Sequence, residues 1–189
     1  MAGSIRLTDF KNQILDVARP NRFWITIMGN LPNDLGWSQE PMAFACKGTS
    51  VPSRTLNSIE LNWQGMKTKI AGDPSFEDIT LSFHNTYDWS VRNFFESWVQ
   101  AIADESSNTR LDPQAYKSEI MIEHLGRTDE DVIATYILEG AFPTNVAAIN
   151  LSQDSGDTPE EFDVTLTYDT FYRRPGKGSG SAVPGILER

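Results

Sequence analysis

Cysteine is almost absent: among 189 residues there is one, Cys46. A single thiol forms no disulfide within the chain and cannot build a cysteine zinc site. Histidine is nearly as scarce, with His84 and His124 in separate extended runs. Neither shows metal-ligand spacing with the scattered carboxylates. As a nucleophile, Cys46 would need one of these histidines beside it. Its setting, Phe44-Ala45-Cys46, reads instead as a small buried apolar residue. A phosphate-cradling loop is also missing, since Gly176-Lys177-Gly178 has no strand and helix around it. There is no Gly-x-Ser-x-Gly elbow. The acidic stretch Asp154 to Glu161 lacks the alternating ligands and final glutamate of an EF-hand loop. Pairs such as Glu160-Glu161 carry no geometry that marks an acid/base dyad. The expectation is a protein that is not an enzyme, with no catalytic, cofactor-binding or metal-binding residues.

Long hydrophobic runs are missing too. None approaches the length of a bilayer span, and no signal-peptide core follows Met1 to Arg6. We expect no membrane insertion and synthesis in the cytoplasm. Cations are in deficit, with 16 basic against 26 acidic residues and a net charge of -10. Tight DNA binding rests on Lys and Arg at phosphates, so this balance argues against it. It fits either plain solubility or a surface that must not adhere to DNA.

What is present is enough apolar material for one folded domain: 39% hydrophobic and 11% aromatic residues. Phe10, Ile14 and Val17 predict a short helix over Leu7–Val17. Phe23 to Met28 reads as a strand, followed by a loop from Gly29 to Gly36. Met42 to Lys47 reads as a second strand and Gly48 to Asn57 as turn-rich. Ile59, Leu61 and Trp63 alternate with polar residues in a half-buried strand, with a bulge or bend at Gly65 and continuation to Ile70. Gly72-Asp73-Pro74 reads as a tight turn, after which Phe76 to Phe83 restarts an extended run.

Trp89 to Ala103 is the main predicted helix. Val91, Phe94, Phe95, Trp98, Val99 and Ile102 form one apolar stripe, and Asp88 is the expected N-cap. Ile120 and Ile122 followed by the alternation from Val132 to Leu138 predict a hairpin. Gly140 to Val146 reads as a turn around Pro143. Phe162, Val164, Leu166 and Tyr168 alternate with polar residues in a last strand with one solvated face. The expected fold is mainly β: two packed antiparallel sheets, a sandwich or barrel, flanked by one main helix. Residues 1–172 are read as a single domain and 173–189 as a flexible Gly/Ser/Pro-containing tail.

Five segments, in order, resemble the tail tube proteins of contractile-tailed bacteriophages. They are Ala18-Arg19-Pro20-Asn21-Arg22-Phe23, Phe44-Ala45-Cys46-Lys47-Gly48-Thr49-Ser50-Val51-Pro52, Ile70-Ala71-Gly72-Asp73-Pro74-Ser75-Phe76, Gly140-Ala141-Phe142-Pro143-Thr144-Asn145-Val146 and Phe162-Asp163-Val164-Thr165-Leu166. Two features depart from the family: the tail after Tyr172 and the longer loop from Gly29 to Gly36.

The resemblance implies a structural virion protein, assembled in the host cytoplasm into stacked hexameric rings of an inner tail tube. DNA passes through the bore without specific binding. The implied partners are further copies of the chain, the tail sheath, the baseplate tube initiator, the tape measure and the tail terminator. The segment Gly48 to Gly72 is the implied ring-to-ring contact, with Lys47, Thr49, Arg54, Lys67 and Asp73 as stacking residues. Glu60, Glu119, Glu123 and Glu139 are the implied lumen-facing residues. Two alternatives share or replace this reading. One is the tube of a type VI secretion or extracellular contractile injection system. The other is a small-molecule-binding β-barrel, which needs an apolar cavity with a few polar anchors.

Overall fold

Alternating burial along the strands builds the molecule. A computed structural model describes residues 18–29, 31–32, 39–104, 106–128, 131–154, 156 and 158–175. The expected helix over Leu7–Val17, most of the loop Gly29 to Gly36 and the glycine-rich C-terminal stretch fall outside these residues. In chain order the elements are β1 (Phe23–Met28), α1 (Gln39–Ala45), β2 (Cys46–Thr49), β3 (Arg54–Trp63), β4 (Met66–Phe76) and β5 (Ile79–His84). There follow α2 (Ser90–Ile102), β6 (Ala103–Asp104), β7 (Thr109–Arg110), α3 (Pro113–Tyr116), β8 (Ser118–Leu125), β9 (Val132–Val146), β10 (Glu161–Thr167) and β11 (Thr170–Pro175).

Two antiparallel sheets share β9. Sheet A has the order β1-β8-β9-β11, and sheet B the order β9-β10-β5-β2. The fifteen-residue β9 passes from one sheet to the other near Gly140, where φ is +68°. A side chain there would be strained and would collide with the Asp169 carboxylate, so the corner requires glycine. Asp169 fixes the corner from both sides. Its N–H donates to Glu139 O at 3.0 Å, and its carboxylate pairs with Lys117 at 2.6 Å.

The core lies between the sheets and is closed by α2. Phe83, Phe95, Trp98, Leu138 and Leu166 are fully buried there. The α2 stripe is as expected, with Val91, Phe94, Phe95 and Trp98 inside. The helix starts one residue late. Trp89 holds the N-cap position in a left-handed conformation, yet the Asp88 carboxylate still accepts from Ser90 N at 3.3 Å. The last predicted strand also matches, with Phe162, Val164 and Leu166 buried and Glu161 and Asp163 exposed.

Several expectations are corrected. Met42 to Lys47 is not a strand: α1 runs to Ala45 and β2 begins at Cys46. The turn expected around Pro143 is instead the interior of β9, where Pro143 faces Leu166 at a register shift that spares it a ladder bond. Gly65 and Gly72 exchange roles. Gln64 and Gly65, at φ 48° and 82°, form the two-residue turn of a hairpin made by β3 and β4. Gly72 and Asp73 together oppose Asn57 as a bulge inside β4. The stretch read as turn-rich, Gly48 to Asn57, already carries the start of β3 at Arg54. The final strand crosses the expected tail boundary and reaches Pro175.

Burial pushes the Cys46 thiol up to about 12, with the Gly48 backbone opposing this weakly, and Sγ donates to Gly48 O at 3.6 Å. At pH 8 such a group is thiolate in about one molecule in ten thousand. Iodoacetamide is therefore expected to leave folded protein unlabelled over hours and to label it promptly in denaturant. Prompt labelling of the folded form would contradict this.

Candidate functional site

No group of three or more His, Cys, Asp or Glu side chains able to hold a metal ion occurs among the described residues. The distinctive geometry lies on the surface, in three places.

The first is the outer face of sheet A. Register places Met28 opposite Glu119, Thr26 opposite Met121, and Trp24 opposite Glu123. Across the sheet, Met121 faces Ile137 and Glu123 faces Thr135, while Tyr172, Arg174 and Thr170 pair with Ile137, Thr135 and Glu139. Glu119, Glu123 and Glu139 therefore share one face, opposite the core residues Ile25, Ile120, Ile122 and Leu138. Arg174 is the basic strand residue on that face. Glu60 is not among them: it lies on β3, 3.5 Å from Lys67 and 3.4 Å from Lys69.

The second is the pair of sheet A edges. β1 and β11 each have six residues and are paired on one side, among the described residues. Every step across the sheet is antiparallel, so β1 and β11 run in opposite directions. The outermost strands of a sheet are where another chain can add.

The third is the β3–β4 hairpin. All ten residues of β3 are exposed. Ile59 opposite Ile70, Leu61 opposite Thr68, and Trp63 opposite Met66 form one mainly apolar face. Trp63 and Met66 are each 74% exposed. Two strands alone are marginal in water, and an uncovered apolar face marks an interaction surface.

The hairpin is anchored at its base. The Arg54 guanidinium stacks 5.5 Å from the Phe76 ring and 5.1 Å from the Phe171 ring, and it donates to Phe171 O at 3.2 Å. Arg54 thus ties β3 and β4 to β11 and has a positioning role. Each such contact is worth about 0.5–2 kcal/mol. Arg54→Ala is expected to speed amide exchange throughout β3 and β4 while leaving the core melting transition nearly unmoved. Unchanged hairpin exchange would show that the stack does not hold it.

The other residues implied by resemblance are spread out. Lys67 and Asp73 lie on the hairpin, the latter in the bulge. Thr49 ends β2, and Lys47 pairs with Glu161 at 2.6 Å on the outer face of sheet B. The alternation of Ile59, Leu61 and Trp63 marked this apolar face, but the half-buried strand expected there is corrected, since all of β3 is exposed. The pairing of that run with Met66 and Ile70 was hidden by a turn that lacks Asn-Gly or Asp-Gly.

Comparison with known proteins identifies the same architecture. The sequence model described as phage tail tube protein matches residues 18–174. The tail tube protein gp19 of Enterobacteria phage T4 is 30% identical over 155 residues, covering 82% of this chain and 90% of that protein. The tail tube protein of Serratia phage KSP90 is 30% identical over 121 residues, covering 64% and 68%. Among solved structures, a chain of the sheath/tube terminator of the extracellular contractile injection system PVC superposes with a TM-score of 0.65 at 17% identity, over 85% of this chain and 99% of that one. A crystal structure of Hcp protein gives 0.52 at 13% identity, over 85% and 96%. With a match over most of its length, the chain belongs to the phage tail tube protein family.

Proposed function

We propose that this chain is the structural subunit of a contractile phage tail tube. It closes into hexameric rings, and the rings stack into a hollow conduit for DNA. The observation that carries the reading is sheet A, whose two outermost strands, β1 and β11, have equal length and run in opposite directions. When β11 of one copy meets β1 of the next around a rotation axis, every junction is antiparallel, like every pair inside the sheet. The barrel then closes and no edge remains.

In that barrel the outer face of sheet A lines the bore. Glu119, Glu123 and Glu139 repel phosphates, and DNA slides because few cations are available to release its counterions. The hairpin is the ring-to-ring element, with Lys67 and Asp73 on it, Arg54 at its base, and Lys47 and Thr49 on the strand leading to it. Sheath, baseplate initiator, tape measure and terminator are the remaining partners, and the virion tail is the location. The 30%-identical relatives are phage proteins, which favours a phage tail over an injection system that delivers effectors. A ligand-binding barrel fits poorly, because Trp98, Phe83, Phe95 and Met42 fill the space between the sheets.

Native mass spectrometry of the purified full chain tests the ring. A hexamer mass that collapses to monomer when β1 or β11 carries inserted prolines is expected. Monomer alone at every concentration would overturn the reading.

A further inference from the structure

Most of the exposed large apolar residues fall into two groups at opposite ends of sheet B. The hairpin leaves after Thr49 and returns before Ile79, at the end where Ile79 pairs with Leu166. The second group sits at the other end, where His84 pairs with Glu161. Phe44 does not belong to this group, because its ring packs edge-on 5.1 Å from Trp24 on β1. Tyr87 and Trp89 follow His84, and Leu151 lies in the loop that leads to Glu161. Leu151 is 78% exposed, and Tyr87 is fully exposed.

This second end is tied together. Arg92 stacks 5.8 Å from the Trp89 ring and 5.4 Å from the Phe162 ring, and it donates to Ala147 O at 3.0 Å. Asn85 N donates to Glu160 O at 2.8 Å, joining the two loops. Tyr87, Trp89 and Leu151 are therefore displayed on a fixed platform, and each is exposed.

We infer that the apolar face of the hairpin seats on this platform of a second copy, with Trp63 and Met66 against Tyr87, Trp89 and Leu151. The inference rests on the reading of the hairpin as the ring-to-ring element, and it names the surface that receives it. Charge supports the same pairing. Lys67 and Lys69 share the single Glu60 carboxylate. The platform end carries Asp88, Asp154 and Glu160. Asp88 is held below the usual carboxylate range by the Thr86 hydroxyl first and the Ser90 N–H next, so it is charged at neutral pH. The two surfaces are different patches on one chain. Such a heterologous contact at opposite ends does not close on itself and propagates along an axis.

Two full-length variants test this. A hairpin variant carries Trp63→Glu with Met66→Glu, and a platform variant carries Tyr87→Glu with Leu151→Glu. All four side chains are exposed, and unchanged thermal melts confirm folding. If the platform variant melts early, Leu151→Glu alone replaces it. Wild type is expected to pellet as tubes, and each variant to stay as single rings. An equimolar mixture is expected to give paired rings in sedimentation velocity and nothing longer, because only one working junction remains. A platform variant that elongates while the hairpin variant does not would overturn the receiving surface and leave the hairpin reading intact. Elongation of both would overturn the hairpin reading as well. Single rings in the mixture would also overturn the inference.

Discussion

Trp98→Ala is expected to lower stability by about 3–5 kcal/mol. Trp98 is fully buried on α2, stacked 6.5 Å from Phe95 and edge-on 5.6 Å from Phe94. Its indole N–H donates to Tyr116 O at 3.1 Å, linking α2 to α3. Truncation opens a cavity that the two sheets cannot close, and it leaves a carbonyl without its donor, at about 1 kcal/mol. Against a typical total of about 5–15 kcal/mol, such a loss removes a large share of the folded state's margin. The melting temperature should fall by roughly 6–20 °C. The comparison belongs at concentrations where the chain is monomeric, because assembly adds stability by mass action. Trp98→Phe should recover most of the loss. A shift below about 1 kcal/mol for Trp98→Ala would mean that α2 is not packed as described.

The second large effect concerns the proposed bore. Replacing Glu119, Glu123 and Glu139 with lysine turns three carboxylates into three ammonium groups beside Arg174 on the outer face of sheet A. Repeated around a ring, the change creates a dense cationic lining. Wild-type tubes are expected to retain no duplex DNA. Tubes of the triple variant should retain it at low salt and release it as salt rises. Log affinity should fall with a slope of about -0.9 for each phosphate neutralised. Single reversals should give graded retention. Glu60→Lys provides the control, because Glu60 lies on the hairpin beside Lys67 and Lys69 and should not add retention within the bore. DNA retention that is unchanged in the triple variant, or insensitive to salt, would show that this face does not meet DNA.

Elements with a single strong period were legible from sequence. The α2 stripe, the β8–β9 hairpin and the alternation of β10 each reflect one buried face, and each was found. Three of the implied bore residues also fell together, because Glu119 and Glu123 alternate with Ile120 and Ile122, and Glu139 lies two residues from Ile137. What escaped reading depends on partners distant in sequence. Met42 to Ala45 is short and apolar without a clear period, so a one-turn-scale helix and a strand look alike there. Gly72-Asp73-Pro74 has the composition of a turn, but a bulge draws on the same residues when Asn57 lies opposite. Pro143 in the middle of β9 contradicts strand rules until the register shift against β10 is known. β11 lacks alternation because Phe171 packs toward the core, against Phe76 and under Arg54, which are remote in sequence. Arg54 looked like an exposed stacking residue, and its two aromatic contacts, Phe76 and Phe171, come from remote positions.

Closure of sheet A with its neighbours around a bore is the step on which the proposed function depends. Cryo-electron microscopy of the full chain, at high concentration and with the baseplate initiator as nucleus, measures this directly. The account predicts a hollow tube of stacked rings in which β1 pairs with the neighbour's β11, and Glu119, Glu123 and Glu139 face the channel. Monomers alone under these conditions, or a tube that turns this face outward or lines its channel with Lys and Arg, would contradict it.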